Sequence, residues 1–325
     1  MADIEVLATF SHYVDHMMPI VEALRDNGID VRVWSGQRNQ TLWGEYIHES
    51  DIERMGRKLW LVAASVDAQR CRGQQLIYLE HGAGQTYTGD ERSVAAHGYS
   101  SGRMDDAVMF LCPNAFVLNR RQETYPDVPS YLVGCPKMDQ FYVDTERLGV
   151  QENVLALTWH WDCGVCDETN TAFHHYRPRF NQIVMGLRRE GIRVVGHAHP
   201  RIAKKAQWHY ERHGIEWWDH DQVLNEAAVL AVDNSSIGYE FASLGRPVLW
   251  LNAPQYRRSV HHGLRFWEYV PGVQIDGPEQ FVAAALDCFH RDTMADWRRH
   301  VSDLVYPARD GMAARRAAMA IERLL

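Results

Sequence analysis

Short apolar runs alternate with segments of helical apolar spacing along most of the chain. In the first half, Ile4–Phe10 reads as a strand, Val14–Asn27 as a helix closed by Gly28, and Val31–Ser35 as a second strand. Ile77–Leu79 is an extended run entering a His-Gly-Ala-Gly-Gln turn, and Ala107–Phe110 fits strand or helix. Ala115–Leu118 reads as a strand, and Ser130–Val133 leads into Gly134. The pattern then restarts. Asn153–Thr158 is strand-like, Pro178–Glu190 helical with Gly191 behind it, and Arg193–Gly196 extended. Lys204–His213 is helical, Ile215–Trp217 extended, Asp221–Ala227 helical and Val229–Val232 extended. Val282–Phe289 and Ala313–Leu325 are amphipathic helices expected to pack on this second half. Such alternation predicts an α/β protein of two Rossmann-like domains, with parallel sheets covered on both faces. The polar stretch Asp139–Asn153 carries no strand signal and marks the break. The expected domains are therefore 1–145 and 150–325, their sheets facing a central cleft where ligands sit beyond the strand ends.

Composition narrows the class. With 325 residues, 46% of them hydrophobic, the chain has the apolar material for two packed cores. No apolar run of about 18 residues occurs, so no integral membrane segment is expected. The opening MADIEVLATF has neither the basic nor the long apolar region of a signal peptide, and a cytoplasmic protein is the simplest expectation. Six cysteines, at 71, 112, 135, 163, 166 and 288, show no framework spacing, which fits a reducing compartment. The net charge of −8 argues against broad polyanion binding. The pairs Arg188-Arg189 and Lys204-Lys205 read as solvated helix faces.

The densest chemical signal is the segment AVDNSSIGYEFASLGRPVLWLNAP at 231–254. Its short strand ends at Asp233, and Asn234, Ser235 and Ser236 are all N-cap residue types before the helical spacing of Ile237–Leu244. Gly245 closes that helix, and Val248–Leu251 begins a new strand after Pro247. A capped helix start beyond a strand end favours phosphate. Glu240, one turn further, is placed to accept hydrogen bonds from a ribose. The segment therefore points to a nucleotide.

Other residues fall at predicted strand ends. His81, with Gly82, Gly84 and Gln85 after it, suits a general base beside flexible backbone; a turn histidine bonded to backbone is the equal alternative. His197 and His199 flank Ala198, but no further ligands follow at zinc spacing. His199 with Arg201 is read instead as a source of phosphate donors. Trp159 and His160 end another strand, and Ser11 and His12 follow the first; all four are candidates to line the cleft. Cys163-Gly164-Val165-Cys166 stands as a loop with two thiols, and His174-His175 and His261-His262 as surface or core pairs. The chain has no G-x-S-x-G elbow, and the first strand is not followed by G-x-G-x-x-G, which weighs against a serine hydrolase and a Rossmann dehydrogenase.

Taken in order, these landmarks resemble the CDP-glycerol glycerophosphotransferase family, the teichoic-acid-polymerase-like enzymes of the GT-B superfamily. Glu80-His81-Gly82 resembles its His-Gly element, and Gly134-Cys135-Pro136-Lys137-Met138-Asp139 its Gly-x-Pro-x-x-Asp stretch. Val154–Trp159 resembles the strand opening its second domain, and His199-Pro200 its His-Pro element. Asp233-Asn234-Ser235-Ser236, Glu240 and Gly245-Arg246-Pro247 resemble its Asp-x-Ser-Ser, acidic and Gly-Lys-Pro positions, and Asp310-Gly311 with Arg315 its closing segment. The resemblance implies an acceptor-side first domain and a donor-binding second domain. His81 would deprotonate the acceptor, His199, Arg201, Ser235 and Ser236 would hold the diphosphate, and Glu240 the ribose; the catalytic candidates are thus His81 and His199, and the donor-binding ones Arg201, Asp233, Asn234, Ser235, Ser236 and Glu240. It also implies no bound metal or cofactor. Two departures bear on the substrate: a Leu-Glu-His-Gly-Ala context where the family usually has Thr-Trp-His-Gly-Thr, and no basic amphipathic extension.

The expected function is a metal-independent transferase moving a glycerophosphate or glycosyl group from a nucleotide-diphosphate donor, of CDP-glycerol or UDP-sugar type, to an acceptor hydroxyl. The acceptor is left open among glycan, lipid carrier, protein and modified base. A UDP-N-acetylglucosamine 2-epimerase-like isomerase and a non-catalytic nucleotide- or glycan-binding protein are the alternatives.

Overall fold

The computed structural model describes residues 2–38, 43–83, 104–143, 149–162, 170–256 and 269–325. The chain divides into two compact units. One comprises residues through Val143 together with Tyr306–Leu325, and the other most of the chain between them.

The first unit is built on a seven-stranded sheet. Its strands are β1 (Ile4–Ala8), β2 (Val31–Ser35), β3 (Glu45–Tyr46), β4 (Leu59–Val62), β5 (Gln75–Leu79), β6 (Ala107–Cys112) and β7 (Ser130–Leu132). They lie in the order β3-β2-β1-β4-β5-β6-β7, and every pairing is parallel. Parallel strands covered on both faces need apolar residues throughout; β6 has them, and β1 departs only at Glu5, whose buried carboxylate accepts from Trp34 Nε1 at 2.6 Å. All five residues of β1 are buried, and of β6 only Val108 is partly exposed. Two apolar clusters cover the faces, one around Ile20, Leu61 and Ile77, the other around Trp60, Tyr78 and Phe110.

The second unit repeats the plan with six strands: β8 (Gln151–Trp159), β9 (Arg193–Ala198), β10 (Glu216–Trp217), β11 (Ala227–Val232), β12 (Val248–Leu251) and β13 (Val273–Ile275). The order β10-β9-β8-β11-β12-β13 is again all parallel. In both units the first strand has the second on one side and the fourth on the other. The direction of winding therefore reverses beside β1 and beside β8. Crevices beyond the carboxyl ends at such reversals are where doubly wound sheets bind ligands.

Close helix–strand packing in the second unit rests on two glycines. A Cβ at Gly238 would lie 2.4 Å from the Trp250 ring, and one at Gly196 would lie 2.4 Å from the Tyr210 ring. Tyr210 takes that space and donates its hydroxyl to the Leu157 carbonyl at 2.7 Å.

Two expectations are corrected. Ala115–Leu118 is the first turn of a helix, Ala115–Thr124, not a strand. Asn114 caps it by accepting from the Val117 N–H at 3.1 Å, and four apolar-looking residues do not outweigh that start signal. The C-terminal helix Ala313–Ile321 packs on the first unit, not the second. Ala317, Ala318 and Ile321 join the core of β1 and the helix Ser11–Asp26. Asp139 holds the start of that helix, accepting from the Ala313 and Ala314 N–H groups at 3.0 and 2.7 Å.

Among the described residues, Cys71, Cys112, Cys135 and Cys288 are buried free thiols, and no helix is long and apolar enough to cross a membrane.

Candidate active site

In the first unit, β5 delivers Glu80, His81 and Gly82 beside the β1/β4 reversal. Gly82 has φ +75°, a left-handed conformation that turns the chain sharply after His81. The next residue, Ala83, is held by its carbonyl, which accepts from the Asn114 side-chain amide at 3.0 Å. Below the histidine lies a buried ion pair. The Arg121 guanidinium donates to the Glu80 carboxylate at 2.6 Å, with the two side chains 1% and 2% exposed. Burial opposes the Glu80 charge, but Arg121 and Arg120 outweigh it and hold its pKa below the ordinary carboxylate range.

His81 keeps part of its surface accessible, while Tyr13 packs edge-on at 4.9 Å between ring centroids and His16 stands at 6.1 Å. Burial pushes its pKa below 6.5, against the opposing pull of Glu80. The imidazole is therefore neutral at pH 7, the state a proton acceptor requires. A hydrogen bond to the Ala63 backbone holds it at the end of β4, which is the backbone-bonding role given above as the alternative. Ser11 is exposed at the start of the helix Ser11–Asp26, and His12 packs on Tyr13 at 4.1 Å. Gly84 and Gln85 lie outside the described residues, as do Cys163, Cys166 and the His261-His262 pair.

In the second unit the adjacent strands β9, β8 and β11 end side by side, bringing together residues that are far apart in sequence. His160 follows β8, His199 follows β9, and Asp233–Ser236 follow β11. The His160 and His199 rings meet edge-on at 5.3 Å, and Trp161 lies 6.0 Å from His199. Arg201 is exposed, its guanidinium 4.1 Å above the Trp161 ring, and its backbone N–H donates to His199 Nδ1 at 3.2 Å. The result is a cationic and aromatic corner beyond the carboxyl ends of β8 and β9.

Asp233 is fully buried and turned inward. Its carboxylate accepts from the His160 N–H at 2.7 Å, the Thr171 hydroxyl at 2.8 Å and the Ala172 N–H at 2.9 Å. Burial raises its pKa to about 6 against those bonds. Asn234, 3% exposed, has neither its amide oxygen nor its nitrogen bonded to another described residue. An amide buried in that state is costly unless a ligand or water meets it.

Ser236 occupies the N-cap position of the helix Ile237–Ser243, but with helical φ −59° and ψ −26°, and its hydroxyl makes no capping bond. The expected side-chain cap is thus absent, because a helical N-cap backbone turns the hydroxyl away from the N–H groups it would satisfy. Glu240 is 1% exposed and meets His220 Nε2 at 2.7 Å.

One residue departs from its expected place. The Trp159 ring does not line the strand ends. It is buried in the second core, 5.5 Å from Phe173 and 5.9 Å from Tyr176, because strand alternation turns it towards the helices. His197 is likewise internal, its Nδ1 2.7 Å from the Thr158 hydroxyl and its ring stacked on Trp217. Among the described residues, no three His, Cys, Asp or Glu side chains cluster as metal ligands. His220 was not foreseen from sequence. The signal was Asp219-His220-Asp221-Gln222, a capping box that places its first helical residue at the sheet edge.

The chain is similar in fold to several solved structures. The wall teichoic acid polymerase TagF matches at 14% identity and TM-score 0.69, covering 99% of this chain and 89% of that one. The Methanocaldococcus jannaschii UDP-GlcNAc 2-epimerase, in complex with UDP-GlcNAc and UDP, matches at 12% identity and TM-score 0.62, covering 98% and 99%. S. aureus MnaA, in a co-structure with UDP, matches at 16% identity and TM-score 0.65, covering 100% and 97%. At these identities the likeness speaks for the fold, the GT-B plan of two Rossmann-like α/β units. No curated protein matches in sequence. The pattern of the CDP-Glycerol:Poly(glycerophosphate) glycerophosphotransferase family matches residues 132–323, more than half of the chain, and the chain belongs to that family of transferases.

Proposed function

We propose that this transferase moves glycerophosphate from CDP-glycerol to an acceptor hydroxyl, with the second unit holding the donor and His81 of the first unit as base. The observation that carries the donor assignment is the topology of the second sheet. His199 and Arg201, the unbonded Asn234 amide, and Ser235-Ser236 all lie beyond the strand ends around the β8/β11 reversal. His199, Arg201 and the two serine hydroxyls supply donors and positive charge to a diphosphate. Glu240 accepts from the ribose hydroxyls. Asp233 is a positioning residue in this reading, since its carboxylate ties the ends of β8 and β11 together.

The reaction is a displacement at phosphorus. The acceptor oxygen bonds to the phosphorus that carries glycerol, the bond from that phosphorus to the bridging oxygen breaks, and CMP leaves. The acceptor proton passes to the neutral His81 imidazole. No metal is invoked, because the cationic corner and hydroxyl donors are proposed to meet the charge developing on the leaving phosphate. The family's description pairs CDP-glycerol with poly(glycerophosphate), so the terminal hydroxyl of such a chain is the first acceptor to test.

The identity of the released nucleotide decides the chemistry. Incubation with CDP-glycerol and a glycerophosphate oligomer, with and without a chelator, is expected to release CMP equally in both. Release of a nucleoside diphosphate from a UDP-sugar instead would establish glycosyl transfer, and an altered UDP-sugar formed without acceptor would establish an isomerase. Loss of CMP release with the chelator would contradict metal independence.

A further inference from the structure

The pairing of Glu240 with His220 has no place in the chemistry above. Glu240 is buried in the first turn of its helix, and a carboxyl so removed from water is costly unless hydrogen bonds replace its hydration. His220 Nε2 provides one at 2.7 Å from Glu240 Oε2. The opposite ring nitrogen, Nδ1, stands 3.2 Å from Asp221 Oδ1. A neutral imidazole carries one N–H and can donate to one of these carboxylates; the imidazolium donates to both.

The ring is also rigidly delivered. His220 opens the helix His220–Glu226, whose start is locked by the reciprocal Asp219–Gln222 capping box. His197, itself bonded to Thr158, closes one side at 6.3 Å between ring centroids.

We propose that His220 is a positioning residue of the donor site, holding the Glu240 carboxylate oriented to receive the ribose 2′-hydroxyl of the nucleotide. The proposal rests on the reading that the second unit binds a ribonucleotide through Glu240. A histidine of merely structural value would support folding and affect all ligands alike. A positioning histidine affects only ligands with the 2′-hydroxyl.

The test is calorimetric affinity for CDP and 2′-deoxy-CDP, measured on the wild-type chain and on His220→Gln and His220→Asn, with thermal melting to verify folding. The glutamine amide nitrogen reaches close to the position of Nε2, whereas the asparagine amide stops short of Glu240. The wild type is expected to prefer CDP by about tenfold, the worth of a hydrogen bond to a charged group. His220→Asn is expected to lose that preference through weaker CDP binding with 2′-deoxy-CDP unchanged, and His220→Gln to keep most of it. Asp221→Asn, at an exposed position, gives an independent arm and is expected to weaken CDP alone. Full ribose preference in His220→Asn, or equal weakening of both ligands, overturns the proposal. A wild type that binds both equally removes the ribose contact it depends on, and one that binds neither overturns the donor reading itself.

Discussion

Asp139→Ala separates architecture from chemistry at a position inside the stretch that the family pattern matches. Both Asp139 oxygens accept backbone N–H groups at the start of the C-terminal helix, from Ala313 and Ala314. Around them, a Cβ at Gly134 would come within 3.2 Å of the Ala308 and Ala313 side chains, and one at Gly311 would lie 2.1 Å from Val143. Arg316 completes the clamp, donating to the Val133 carbonyl at 2.9 Å and to both Asp310 oxygens at 2.7 and 3.0 Å. The Gly-x-Pro-x-x-Asp stretch and the closing Asp-Gly segment are therefore two halves of one fastening. Losing a helix cap costs about 0.5–2 kcal/mol, and hydrogen bonds to a charged acceptor about 1.5–3 each, with water recovering part at half-exposed Ala314. A net loss of about 2–3 kcal/mol follows, which should speed amide hydrogen exchange in Ala317–Ile321 about 30- to 150-fold. Turnover by the folded fraction should be unchanged. Exchange within about threefold of wild type, together with collapsed turnover, would refute the clamp and make Asp139 a site residue.

Three further outcomes are expected. Glu80→Gln leaves the Arg121 charge stranded in the core and should destabilise the chain by about 3–5 kcal/mol in thermal or urea melts; a loss below about 1 kcal/mol contradicts the buried pair. Because burial holds the His81 pKa below 6.5 and the base works unprotonated, turnover at saturating donor should fall at acid pH with its inflection below 6.5. An inflection at or above 6.5 would show that the titrating base lies elsewhere. Gly238→Ala drives a methyl into Trp250 and should cost about 1–3 kcal/mol of stability, whereas an unchanged melting temperature would mean the helix can shift away from β12.

Strand–helix alternation made the architecture legible, since β1, β8 and β11 are apolar runs ended by recognisable polar or glycine signals. β4, Leu59–Val62, was not read from sequence although Gly56 turns the chain just before it. The C-terminal helix was assigned to the wrong unit because amphipathicity says that a face is buried but not against what. Among the candidate residues, His81, His199 and Asn234 were legible as polar residues at strand ends, and Glu240 as an acidic residue one turn into the helix after β11. That the Asp233 carboxylate faces inward was not, nor that Trp159 joins the core, because the direction of a side chain at the last strand position depends on register. His220 was invisible for another reason: its partner lies twenty residues away, and only the fold brings them together.

The central claim is that a nucleotide donor is held by the second unit and that His81 takes the acceptor proton. Wild type and His81→Ala should be compared for CDP-glycerol affinity by calorimetry and for CMP release with a glycerophosphate acceptor. The account predicts donor affinities within about threefold of each other and a turnover loss of about 10²- to 10⁴-fold in the variant, the usual worth of a positioned general base. Full turnover by His81→Ala, or a wild-type protein that neither binds CDP-glycerol nor releases CMP from it, would contradict it.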